Sequence, residues 1–156
     1  MQTSWTEYFM DLAKAVSTRS TCLRRKVGAV AVNPRHMVIG TGYNGAPSSM
    51  AHCTPETCIR MKNHIPSGEK LEMCKAVHAE QNLVVRLGDK LENATIYITT
   101  RPCTTCTKLL IQAGVKEIVW DKDYDDTYAT NLLEEYFNNT ITIDEFGYKH
   151  ITKSIS

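Results

Sequence analysis

His78 and Glu80 stand one residue apart, and Cys103 and Cys106 follow in Pro102-Cys103-Thr104-Thr105-Cys106. One imidazole and two thiolates make three zinc ligands. Structural zinc sites are closed by four protein ligands, whereas three leave a fourth position for water, so this set predicts a catalytic zinc. Zinc lowers the pKa of bound water from about 15.7 to roughly 7, which makes hydroxide available at neutral pH. Glu80 is not required as a ligand and is free to carry protons. A lone C-x-x-C is weak, because redox pairs and structural knuckles share it. The combination is specific: a surface His with a buried Cys pair would leave Glu80 and Pro102 unexplained.

These side chains need elements that bring them together. Trp5, Tyr8, Phe9, Leu12, Ala13 and Val16 recur at helical spacing over residues 5–19, with Thr3 or Ser4 as cap. The run 27–32 is apolar and β-branched and ends at Asn33-Pro34, so it reads as a buried strand, with 36–42 as its hairpin partner. Residues 77–87 and 103–113 read as helices, the second stopped by Gly114. Strands are expected at 95–100 and 117–120, a helix at 126–137 and a last strand at 140–143. This order predicts a three-layer α/β/α domain with helices on both faces of a mixed central sheet, spanning 1–156 as one unit. His78 and Cys103 then both begin helices, where unpaired N–H groups and the helix dipole favour thiolate and hydroxide.

Composition narrows the partners. The chain has 156 residues, 42% of them hydrophobic, with 18 basic and 17 acidic side chains. A net charge of +1, with Arg24-Arg25-Lys26 as the single basic run, is no nucleic-acid footprint. No apolar stretch reaches 18 residues, so no membrane span is expected, and the N-terminus carries no secretory pattern. A cytoplasmic setting follows, in which the six cysteines are ligands or core residues rather than disulfides.

The pattern H-x-E…P-C-x-x-C is that of zinc nucleobase deaminases. With Cys22–Val30, Gly42-Tyr43-Asn44-Gly45-Ala46-Pro47 and Cys74–Asn82, the chain resembles the cytidine and deoxycytidylate deaminase superfamily over nearly its whole length. The Gly-Tyr-Asn-Gly loop points to the deoxycytidylate branch. The resemblance implies hydrolysis of deoxycytidylate (dCMP) to deoxyuridylate (dUMP) and ammonia, with zinc on His78, Cys103 and Cys106 and Glu80 moving protons to N3 and to the leaving amine. It implies that Asn44 meets the sugar, although Asn-Gly is also a common turn pair. Arg24 and Lys26 either meet the 5′-phosphate or form a solvated basic end. Ala79 and the Thr100 backbone are expected at the base, and Tyr124 either covers the ligand or simply packs. Homo-oligomers (hexamers) activated by dCTP and inhibited by dTTP are implied, with Gly42, Tyr43, Asn44 and Gly45 as the effector loop.

Residues 45–76 lack periodicity and are broken by Pro47, Pro55, Pro66 and Gly68. So long a loop in a compact domain needs a reason. Cys22, Cys53, Cys58 and Cys74 would supply one as a closed structural zinc site, with His52 or His64 able to replace one ligand. Cys22 and Cys53 match phage relatives by resemblance; Cys58 and Cys74 complete the set by inference. The alternatives are a transfer-RNA adenosine deaminase with the same metal ligands and a catalytically silent zinc-stabilised interaction domain. A cytidine nucleoside deaminase would usually carry Cys in place of His78.

Overall fold

The structure, a computed structural model, describes residues 1–66, 69–70 and 73–154. Gly68, expected to break the long loop, lies outside the described residues. Helix α1 (Trp5–Ser17) leads into β1 (Gly28–Val32) and β2 (Val38–Tyr43), followed by one helical turn, α2 (Ile59–Lys62). Then come α3 (Ala79–Leu87), a 3₁₀ turn at Gly88–Leu91, β3 (Thr95–Thr100), α4 (Thr104–Gln112), β4 (Glu117–Lys122) and α5 (Thr127–Phe137). Strands β5 (Thr142–Ile143) and β6 (Lys149–Thr152) finish the chain. The sheet runs β2-β1-β3-β4-β6-β5. Its β3–β4 pair is parallel and its other pairs are antiparallel, so the mixed sheet expected from the element order is present.

Strand alternation divides the core. Ala29, Ala31, Ile96, Ile98, Ile118 and Trp120 face a cluster with Leu83 of α3, Leu110 of α4 and Leu133 and Phe137 of α5. Val30, Val32, Tyr97 and Val119 face the other way, onto Phe9, Met10 and Ala13 of α1. Each such side chain contributes about 1.5–3 kcal/mol on full burial. Ser4 caps α1 by accepting from the Glu7 N–H at 3.2 Å. Gly114 takes φ +85° just past α4 and donates to Ile111 O at 3.0 Å, the left-handed stop its sequence position implies.

Two strands differ in extent from expectation, and two elements were not expected. The second strand starts at Val38, because Asn33 Oδ1 accepts from the Arg35 and Met37 N–H groups and His36 takes φ +62° in the hairpin turn. The last strand is confined to Thr142–Ile143 and pairs with β6, which the sequence reading omitted. Lys149-His150-Ile151-Thr152 buries only Ile151 below a tenth of its surface, too short a pattern to register as alternation. The aperiodic stretch also holds α2.

Candidate metal centre and substrate cleft

The parallel β3–β4 pair and the antiparallel β1 and β2 bring four chain segments to one end of the sheet: the entry to β1, the exit of β2 and the exits of β3 and β4. Ligands in open α/β sheets commonly bind outside such strand ends. His78 is the N-cap of α3 and Cys103 the N-cap of α4, as the motif spacing implies. The His78 N–H donates to Gln81 Oε1 at 2.7 Å, which fixes the first turn of α3. Across the cleft, Asp126 accepts from the Thr104 N–H at 3.0 Å and from Thr104 Oγ1 at 2.5 Å. The same carboxylate caps α5 by accepting from the Ala129 N–H at 3.0 Å. It thereby ties the α5 start to the Cys103–Cys106 turn, and these hydrogen bonds hold it below the ordinary Asp range despite partial burial. Sequence reasoning missed Asp126; its cap position before α5 was the available signal.

The ligand atoms of His78, Cys103 and Cys106 lie within 4.8 Å of one another, and no other such group of three occurs among the described residues. His78 Nδ1 is 3.2 Å from Cys106 Sγ and 3.6 Å from Cys103 Sγ. Tetrahedral zinc, with Zn–N about 2.0 Å and Zn–S about 2.3 Å, sets neighbouring N and S ligands about 3.5 Å apart, so the geometry fits the ion. The two thiols are coupled through one proton. A hydrogen bond from Cys106 and a further one with His78 push Cys103 down to about 4 against its burial, while Cys106 is pushed far up. His78 is raised, chiefly by its contact with Cys103.

Glu80 is 4% exposed and lies beside this cluster. Burial pushes its carboxyl up to about 7, against the opposing pull of His78. A carboxyl poised near neutrality can both take and give a proton at pH 7. A cleft open to solvent surrounds Glu80, His78 and Cys103. Of the residues expected to contact substrate, Arg24, Asn44, Ala79, Thr100 and Tyr124 line it. Lys26 does not: it is exposed, while Arg25 lines the cleft and lies over the Tyr124 ring at 5.1 Å. Successive side chains alternate as the chain extends into β1, and Val27 takes the inward place. Arg60 and Arg101 complete the lining charges and had not been picked out from the sequence.

Asn44 is 8% exposed and its amide is heavily used. Oδ1 accepts from Ser20 Oγ at 2.5 Å and from the Val27 N–H at 2.9 Å, and Nδ2 donates to Arg25 O at 2.7 Å. Gly42 lies under α3, where a Cβ would meet Ala79 O at 2.5 Å. Gly45 exchanges backbone hydrogen bonds with Val77, and Tyr43 O accepts from Asn82 Nδ2 at 2.9 Å. The Gly42–Gly45 loop is thus laced to the helix that carries Glu80.

All six cysteines are free. Cys22, Cys53, Cys58 and Cys74 are not drawn within ligand distance as a group, and burial raises the Cys53 thiol against the opposing charge of Lys75. His52 and His64 are exposed.

A family model described as the cytidine and deoxycytidylate deaminase zinc-binding region matches residues 3–122. The chain belongs to this family. It is 37% identical over 134 residues to the deoxycytidylate deaminase of Schizosaccharomyces pombe, covering 84% of this chain and 41% of that protein. To the deoxycytidylate deaminase of Mycobacterium phage D29 it is 41% identical over 125 residues, covering 76% of this chain and 95% of the phage protein. The chain spans less than half of the two yeast relatives, 41% and 46% of their lengths. The crystal structure of the cyanophage S-TIM5 dCMP deaminase, in complex with dCMP and dUMP, matches with a TM-score of 0.70 and 28% identity over 87% of this deaminase-family chain and 94% of that one. Among the described residues no helix is long and apolar enough to cross a membrane.

Proposed function

We propose that this chain hydrolyses dCMP to dUMP and ammonia. One observation carries the reading: Glu80 is buried beside a three-ligand zinc cluster in a cleft lined by Arg24, Arg25, Arg60 and Arg101. Four guanidinium groups facing one carboxyl favour an anionic substrate, and a nucleoside monophosphate supplies the anion. The phage relatives named for this reaction support the same substrate.

His78, Cys103 and Cys106 would hold zinc, which when bound supplies a Lewis acid that makes hydroxide available near pH 7. Glu80 takes a proton from the attacking water and delivers it to N3 of cytosine. It then passes a proton to the N4 amine as the C4–N4 bond breaks, so water and dCMP yield dUMP and ammonia. Asn44 keeps one Nδ2 hydrogen for a sugar hydroxyl, Ala79 and Thr100 border the base, and Tyr124 covers it. A second zinc on Cys22, Cys53, Cys58 and Cys74 would staple the segment 45–76; the position of these free cysteines in and beside a segment with little regular structure supports it. Regulation by dCTP and dTTP through Gly42, Tyr43, Asn44 and Gly45, in a homo-oligomer, belongs to the same reading and rests on the contact of that loop with α3.

The test is ammonia release, with zinc content measured, from dCMP, deoxycytidine and dCTP given singly and mixed. Turnover of the monophosphate, raised by the triphosphate and with two zincs per chain, is expected. Zinc-loaded protein that turns over none of the three overturns the reading.

A further inference from the structure

Arg60 is the most deeply buried of the cleft arginines, 7% exposed, on the single turn α2 within the segment 45–76. A buried guanidinium without a counter-ion is costly, and proteins rarely leave one so. Among the described residues Arg60 makes no ion pair. Its Nε has no hydrogen-bond partner, and Nη2 reaches only Pro66 O at 3.4 Å. The other cleft arginines are more fully engaged, although Arg101 Nε also lacks a hydrogen-bond partner among the described residues. Arg24 Nη1 donates to Ile65 O at 2.6 Å, and Arg25 lies over Tyr124. Arg101 lies over Trp120, donates to Thr130 Oγ1, and is compensated by the charges of Asp123, Asp126 and Glu134. Among the described residues, Arg60 thus brings a positive charge without an ion-pair partner, and an unused N–H donor, to the cleft that holds Glu80. Its field reaches both His78 and Tyr124.

We propose that Arg60 is the specificity-determining residue for the substrate's 5′-phosphate, accepting it as the counter-ion that no described residue supplies to its buried guanidinium. This deepens the dCMP reading and rests on it. It also gives the segment 45–76 a role in recognition. Arg60 lies two residues after Cys58, and Cys22 and Cys74 line the same cleft, so the structure that orders this segment also positions the phosphate contact.

The experiment compares wild type, R60Q and R60K by calorimetric binding of dUMP, deoxyuridine and inorganic phosphate to zinc-loaded protein, with thermal melts and zinc content as folding controls. Wild type should prefer dUMP over deoxyuridine. R60Q should lose about 10- to 100-fold in dUMP affinity, the range for hydrogen bonds to a charged group, so that the preference collapses and phosphate no longer competes. R60K, which keeps the charge without the planar fork, should fall between. A wild type with no preference for dUMP, an R60Q preference equal to wild type, or equal losses for dUMP and deoxyuridine each overturns the proposal. Wild-type ammonia release from dCMP is read separately. If it proceeds while R60Q keeps its phosphate preference, the assignment of Arg60 fails and the reaction stands; if it is absent, the reaction itself fails.

Discussion

At the scale of the residue, the chemistry depends on a carboxyl that is near the metal ligands without being one of them. Glu80→Gln keeps the shape of the side chain and removes its ability to carry a proton. It should retain the zinc of His78, Cys103 and Cys106 while kcat for dCMP falls by about 10²- to 10⁴-fold, the usual contribution of a positioned acid–base group. Zinc analysis beside steady-state kinetics checks this, and wild-type turnover in the variant would remove Glu80 from the mechanism. Asp126 acts one step further out, since its carboxylate holds the α5 start and Thr104 together. Asp126→Ala should cost about 1–2 kcal/mol by chemical denaturation, the worth of a helix cap. It should also weaken zinc retention against a chelator, because Thr104 adjoins Cys103; unchanged retention would confine Asp126 to capping. The ligands and Glu80 were legible in the sequence because their spacing is set by one helical turn and one helix start. Arg60 was not, because its place in the cleft comes from contacts across the fold that no local spacing encodes; for Asp126 only the cap was legible, and its bond to Thr104 was not.

At the scale of the element, the sheet was read correctly where strands are buried on both faces and poorly where they are not. Strands β1, β3 and β4 carry β-branched and aromatic residues at their buried positions and were found within a residue or two. Strand β6, between β4 and β5, is largely polar, and its His150 pairs with carboxylates on either side. His150 Nδ1 is 3.8 Å from Glu117, and His150 Nε2 is 2.6 Å from Asp144. The ion pair with Glu117 and the hydrogen bond with Asp144 raise His150 above its ordinary value. The carboxyls of Glu117 and Asp144 are lowered, since hydrogen bonds outweigh the opposing effect of burial. A raised His stabilises fully below its unfolded pKa, and that stability is lost as pH rises through the folded value. A lowered carboxyl stabilises above its unfolded pKa, and that stability is lost as pH falls through the folded value. Both terms are therefore complete between about pH 4.5 and 6.5. Urea denaturation should show wild type gaining on His150→Gln by about 1 kcal/mol in this window, with the difference shrinking on both sides. A pH-independent difference would mean that the cluster acts through packing rather than charge.

At the scale of the whole molecule, stability and function come from different sources in different parts of the chain. The sheet is held by two apolar clusters, and none of the described residues of 45–76 belongs to either. Its described residues include the four-residue helix α2, and it is tied to the remainder by the Gly45–Val77 bridge and by contacts such as Arg24 with Ile65 O. Burial cannot hold such a segment in place, so a metal on Cys22, Cys53, Cys58 and Cys74 would carry most of its order, because metal-binding energy is then folding energy. Chelation should therefore act in two stages. Loss of the second zinc should expose Arg60, Lys62 and Lys75 to trypsin while the residues beyond Val77 stay protected by the core. The same treatment should abolish the preference for dUMP over deoxyuridine before the sheet unfolds, because Arg60 leaves with the segment that carries it. Timed proteolysis and mass spectrometry on protein holding two, one and no zinc per chain distinguish the cases. Equal protection of 45–76 in all three would show that the segment is held without metal, and would leave its four cysteines as free thiols.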